Sequence, residues 1–174
     1  MDDYHGWSGH AVLQVSVPQL ESFVIERTRF YDERLVSTDP NFTHAHVTVI
    51  APLVTWDSSI LTQLARSVEP FEFRLNSVEV FEDGLIHLAP DPDQELRRLA
   101  AVARRLHPGV EAFGGQNPTP HLTLDRVSDD VSVAATAASV RSQLPVSCFA
   151  SSLDLVWYGI GNCHLIDRFE LGRD

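Results

Sequence analysis

His46-Val47-Thr48-Val49 falls on His121-Leu122-Thr123-Leu124 when the 174-residue chain is slid along itself by 75 residues. The same shift sets Arg66-Ser67 on Arg141-Ser142, Pro70 on Pro145, and Ser77-Val78-Glu79-Val80 on Ser152-Leu153-Asp154-Leu155, without a gap. One offset serving four matches marks a duplicated unit. It predicts two lobes of like construction related by a pseudo-twofold axis. No Gly/Ser-rich or charge-block segment separates them, so residues 1–174 read as a single domain with inseparable lobes.

Outward from the tetrapeptides, the periodicities repeat in each lobe. Short strands run from His10 to Val17 and from Leu85 to Ala89, each broken by a proline, Pro18 or Pro90. Leu20, Phe23, Val24, Phe30 and Tyr31 recur at helical spacing between Gln19 and Leu35, as do Leu96, Leu99, Ala103 and Leu106 between Asp93 and His107. Then come the strands His44 to Ala51 and His121 to Asp125, helices near Ser58 to Val68 and Asp130 to Leu144, and closing strands Phe71 to Phe81 and Val146 to Tyr158. The last of these turns at Gly159-Ile160-Gly161-Asn162 and returns through Leu165 to Leu171 as a hairpin. The class is α+β: a β-α-β-α-β unit twice over, two antiparallel sheets forming a central cleft, helices outside.

In a chain with 8 histidines and 9 threonines, chance alone yields about 0.4 His-x-Thr. Two, each with aliphatic residues at the other positions and locked to the repeat, are a signal. Residues i and i+2 of a strand share a face, so His46 projects with Thr48 and His121 with Thr123. Val47, Val49, Leu122 and Leu124 point the other way, into the core. If the lobes face each other, two imidazoles and two hydroxyls meet in one cleft. That set suits in-line displacement at phosphorus. A neutral imidazole takes the proton of the attacking water or hydroxyl, the opposite imidazolium protonates the leaving oxygen, and each hydroxyl bonds a non-bridging oxygen. An ordinary histidine pKa near 6.5 makes both states accessible, and the scheme needs no metal and no cofactor.

These tetrapeptides resemble the paired H-x-T-hydrophobic motifs of the two-histidine (2H) phosphoesterase superfamily, which includes 2′-5′ RNA ligase-like proteins and 2′,3′-cyclic nucleotide phosphodiesterases. Pro52 after the first motif, and Pro120 before and Arg126 after the second, fit the same pattern. The resemblance spans roughly residues 10 to 171. It implies a bilobal fold with the motifs on central strands, and hydrolysis or ligation of 2′-linked phosphodiesters. His46 and His121 would then be catalytic, with Thr48, Thr123 and Arg126 binding substrate. The rival class is a non-catalytic nucleotide-binding module of the same fold.

Other residues carry weaker signals. His44 and His46 form H-x-H on one strand face, a spacing also used for metals; without a nearby carboxylate or cysteine cluster, His44 reads as a group at the rim of the site. Arg126 pairs either with substrate phosphate or with Asp125 or Asp154. Phe113-Gly114-Gly115 either edges the cleft to stack on a base or forms a plain surface loop. Arg97, Arg98, Arg104 and Arg105 lie opposite an apolar stripe and read as a solvated face. His87, Trp157 and Tyr158 read as structural.

The net charge is −11, and all 13 basic residues are arginine. That leaves no broad basic face for duplex DNA or another long polyanion, and favours a small nucleotide or an RNA-end phosphodiester as partner. No run approaches the ~18 apolar residues of a membrane span. Met1-Asp2-Asp3-Tyr4-His5 lacks the basic and apolar character of a leader. Cys148 and Cys163 are expected as free thiols at offset positions of one hairpin. The expected location is the cytoplasm.

Overall fold

The computed structural model describes residues 6–172, so the Met1–His5 segment read above for a leader lies outside the described residues. The elements in chain order are β1 (His10–Ser16), α1 (Glu21–Asp32), β2 (His46–Leu53), α2 (Ser58–Arg66), β3 (Phe71–Val80), β4 (Leu85–Asp91), α3 (Gln94–Leu106), β5 (Leu122–Arg126), α4 (Val133–Val140), β6 (Val146–Ala150), β7 (Ser152–Tyr158) and β8 (His164–Glu170). Polar side chains satisfy orphan N–H groups at the starts of two of the helices. Asp57 accepts from Ser59 N ahead of α2, and Ser132 from Ala135 N ahead of α4.

Several boundaries differ from the sequence reading. The helix expected over Gln19–Leu35 is α-helical only over Glu21–Asp32, with 3₁₀ turns at Pro18–Leu20 and Glu33–Leu35. The extended backbone of Asp32, whose carboxylate accepts from Arg34 N, ends the α-helix. Pro90 does not end β4. β5 pairs β4 only over Leu85–Leu88, and β3 shifts register between Leu75 and Ser77, so a residue without an N–H is tolerated there. The closing strand of the second lobe breaks at Ser151 into β6 and β7.

All strand pairings are antiparallel, in the order β6-β3-β4-β5-β2-β1-β7-β8. The two sheets expected from the sequence are therefore joined into one curled sheet. Its halves meet through a single backbone pair, Val47 with Leu122. The halves also exchange strands: β3, last in the first repeat, lies on β4, and β7 of the second repeat lies on β1.

One hydrophobic core fills the helix side. Val47, Val49, Leu122 and Leu124 are buried there with Phe23 of α1, Leu61 and Leu64 of α2, Leu96 and Leu99 of α3, and Val140 of α4. A smaller cluster of Val12, Phe42, Ala51, Val156 and Cys163 lies apart from it, with Leu35, Tyr158 and Leu165 packed against it. Cys148 and Cys163 are buried free thiols. They do not share a hairpin, since Cys148 sits on the edge strand β6 and Cys163 in the turn before the opposite edge strand, β8.

Candidate active site

The site is built around the one pair that joins the halves. With Val47 opposite Leu122, the register one residue to either side sets His46 against Thr123 and Thr48 against His121, all on the face away from the core. Each motif is followed at once by a β-bulge. β1 pairs Gln14 with Thr48 and Leu13 with Ile50, skipping Val49; β4 pairs His87 with Thr123 and Ile86 with Asp125, skipping Leu124. The bulges occupy equivalent positions of the repeat, and each turns two successive residues inward.

Both imidazoles are oriented in the same way. His46 Nδ1 lies 2.7 Å from the His44 carbonyl, and His121 Nδ1 lies 2.7 Å from the Thr119 carbonyl. A carbonyl can only accept, so each ring carries a proton on Nδ1 and, when neutral, has Nε2 as its acceptor nitrogen. His46 Nε2 is 3.1 Å from Thr48 Oγ1, which therefore donates to it. Burial lowers the pKa of both histidines. For His46 the carbonyl bond from His44 opposes this and the charge of His121 reinforces it; for His121 the Thr119 carbonyl opposes and His87 reinforces.

The support of His46 comes from far away in sequence. Glu21, at the start of α1, accepts from His44 N at 2.9 Å and Ala45 N at 2.9 Å, and meets His44 Nδ1 at 2.6 Å. Burial pushes the Glu21 carboxyl up, but these bonds from His44 and Ala45 bring it below its ordinary value. Ser37 N donates to His44 Nε2 at 3.0 Å, so both His44 nitrogens are spent. The H-x-H pair thus does not present two free ring nitrogens to a cation. Its role here is to hold the carbonyl that holds His46.

Beside His46 and Thr123 opens a cavity of about 380 Å³, walled by α1 through Val24, Thr28 and Tyr31, with Tyr158 and Arg126 also lining it. Residues 16–162 match the family model of the 2′-5′ RNA ligase superfamily. The chain belongs to that superfamily. Membership supports a phosphodiesterase-type function. Among solved structures, Escherichia coli LigT complexed with 3′-AMP is similar at TM-score 0.60 and 16% identity, over 95% of this chain and 99% of LigT's. TT0787 of Thermus thermophilus is similar at TM-score 0.60 and 17% identity, again over 95% and 99%. LigT complexed with NADP+ follows at TM-score 0.58 and 15% identity, over 95% and 99%. At such identities the likeness is one of fold. A sequence search of curated proteins finds no significant match.

In this member of the superfamily the remaining candidates are placed as follows. Arg126 bonds neither Asp125 nor Asp154. Its guanidinium donates to Asp83, to the carbonyl at 2.8 Å and the carboxylate at 3.3 Å, while it lines the cavity. Asp154 is taken by Arg168 at 2.6 Å, and the buried Asp125 by Arg27 at 2.8 Å, by Thr136 at 2.9 Å and by the Tyr31 hydroxyl. Phe113 is exposed but packs its ring 5.7 Å from His10 and is absent from the cavity wall.

Arg104 departs from the expected solvated face. It donates to the carbonyls of Val49, Phe113 and Gly115 at 3.2, 2.8 and 2.7 Å. It thereby gives the Val49 carbonyl, at the bulge, a side-chain partner, and ties down the loop that leads into the second motif. His87, which reads as structural in the sequence, comes to lie beside the second motif. It is buried, stacked on Phe81 at 3.9 Å, and 5.4 Å edge-to-face from His121. Its strand pairing with Thr123 is the only signal that could have found it, and that register is not visible before the fold is known.

Among the described residues no helix is long and apolar enough to cross a membrane. Nor do three His, Cys, Asp or Glu side chains gather there in a metal-holding arrangement.

Proposed function

We propose that the protein is a metal-independent phosphodiesterase acting on 2′,3′-cyclic phosphate ends, or on related 2′-5′ phosphodiesters, of nucleotides or RNA. The observation that carries this reading is the matched presentation of His46 and His121. Each has Nδ1 committed to the carbonyl two residues back, Nε2 of His46 meets the Thr48 hydroxyl, which a bound phosphate would draw away, and each stands by register across from a threonine.

One neutral imidazole removes the proton of an attacking water as the new O–P bond forms. The other, as imidazolium, delivers its proton to the 2′ or 3′ oxygen as the old P–O bond breaks. The Thr48 and Thr123 hydroxyls and Arg126 bind the non-bridging oxygens, whose charge grows in the transition state. The two rings leave the cycle with exchanged protonation states, and exchange with solvent resets them. LigT has been crystallised with 3′-AMP, ATP and NADP+, which supports a nucleotide-type ligand for this chain as well. The two free, buried thiols support a reducing, cytoplasmic setting.

The test is turnover of 2′,3′-cyclic nucleoside monophosphates by protein dialysed against a strong chelator. Hydrolysis to a monophosphate is expected, with His46→Ala and His121→Ala each slower by about 10²–10⁴-fold. Binding without turnover would make the protein a nucleotide-binding module. Activity lost on chelation and restored by zinc or manganese would overturn the metal-independent scheme.

A further inference from the structure

Tyr158 closes β7, between Trp157, which packs on the main core, and Gly159. Its ring faces the motif side. It stands 6.2 Å from the His46 ring, with Phe42 edge-on at 5.2 Å and His10 at 6.5 Å. It lines the cavity together with His44, His46, Thr123 and Arg126. The backbone behind it leaves no slack: a Cβ at Gly9, where φ is +100°, would sit 2.6 Å from the Tyr158 carbonyl oxygen.

The Tyr158 side chain is half-buried at the cavity wall, and its hydroxyl has no hydrogen-bond partner among the described residues. The contrast within the same cavity is direct. Tyr31 donates to Asp125 and accepts from Arg126 N. The nearby carboxylates are spent elsewhere, Asp125 on Arg27, Tyr31 and Thr136, and Glu21 on His44 and Ala45. Neither carboxylate is left to accept from Tyr158, so its O–H is available to an acceptor that a ligand brings into the cavity. Burial pushes the phenol well above its ordinary pKa, so the O–H remains a donor throughout the working range.

The repeat marks Tyr158 as a point where the two motifs differ in their surroundings. The offset that carries His46 to His121 carries Asp83 to Tyr158, and Asp83 is the residue that holds Arg126. The His46 side thus has a phenol where the His121 side has the carboxylate that holds its arginine, and Ala51 where the His121 side has Arg126.

We propose that Tyr158 is a substrate-binding residue that donates its hydroxyl to a non-bridging phosphate oxygen beside His46. The inference rests on the phosphodiesterase reading and deepens it.

Tyr158→Phe keeps the ring and its packing and removes only the hydroxyl. It should lower kcat/KM for a 2′,3′-cyclic nucleoside monophosphate by about 10- to 100-fold, the range for a donor lost from a charged acceptor. Affinity for a nucleoside 3′-monophosphate should fall by a similar factor. The melting temperature, and the weak affinity for the phosphate-free nucleoside, should not change.

Turnover with equal kcat/KM in both proteins overturns the Tyr158 assignment and leaves the phosphodiesterase reading standing. Tight 3′-monophosphate binding without turnover, weakened in Tyr158→Phe, supports Tyr158 while the hydrolase reading falls. An equal loss for the phosphate-free nucleoside overturns the assignment to phosphate. Neither turnover nor binding in the unaltered protein overturns both.

Discussion

Around His46 the neighbours are the Glu21–His44 pair and the phenol of Tyr158; around His121 they are the stacked Phe81 and His87 rings and the Asp83–Arg126 pair. The reagents themselves match: the same tetrapeptide pattern, the same carbonyl on Nδ1, the same bulge directly after. The bulge then places Ile50 inward in the first repeat and Asp125 in the second, where α1 and α4 converge on the carboxylate through Arg27, Tyr31 and Thr136. Duplication supplies two equivalent groups, while acid–base catalysis needs one ring charged and the other neutral. On the proposed mechanism, that difference has to come from the unlike surroundings of the two rings. The side chains of Glu21 and Tyr158 around the first motif could not have been placed by copying the second.

The sharpest way to break the comparison is to remove both reagents. If the two imidazoles act as one unit, the double variant His46→Ala with His121→Ala should be little slower than either single variant, far short of the product of two losses of about 10²–10⁴. Multiplying effects in single-turnover rates would mean that the rings act independently.

The threonines test the same symmetry at lower stakes. Thr48→Ala and Thr123→Ala should each cost less than either histidine variant, about tenfold, as a neutral donor to the phosphate is lost. Thr48→Ala should also move the pH limb that belongs to His46, since only Thr48 bonds its histidine. A Thr123→Ala variant as slow as His121→Ala would overturn the assigned roles.

The smallest effect is in pH. Burial, first among the causes, sets both histidines below their ordinary value of about 6.5. The form with one ring charged and one neutral therefore peaks on the acid side of about 6.5, and kcat/KM should be bell-shaped with its maximum there. The sign for stability follows from the same shift. Below about pH 6.5 the unfolded chain binds more protons than the folded one, so the histidine contribution is whole above that pH and is lost as pH falls through the folded-state values. Urea unfolding of His46→Ala should show a shallower decline between pH 7 and pH 5 than the unaltered protein. A bell centred above pH 7 would place the controlling groups elsewhere.

The sequence by itself determined what is local or repeated: which segments alternate, which carry a helical stripe, that His46 shares a face with Thr48 and His121 with Thr123, and that the pattern occurs twice. These follow from backbone periods of 2 and 3.6 residues, which a few side chains suffice to reveal. Only the tertiary structure decided the rest. The exchange of β3 and β7 between halves, their junction at Val47 and Leu122, and the bulges at Val49 and Leu124 all depend on strand register, which periodicity does not encode. The same holds for side chains that act across long separations. Glu21 reaches His44, Arg104 reaches the Val49 carbonyl, Arg126 turns to Asp83, and Tyr158 comes to stand beside His46. Each of these partnerships is chosen by which elements the core packs together, because a buried polar group is stable only where another element happens to bring its partner.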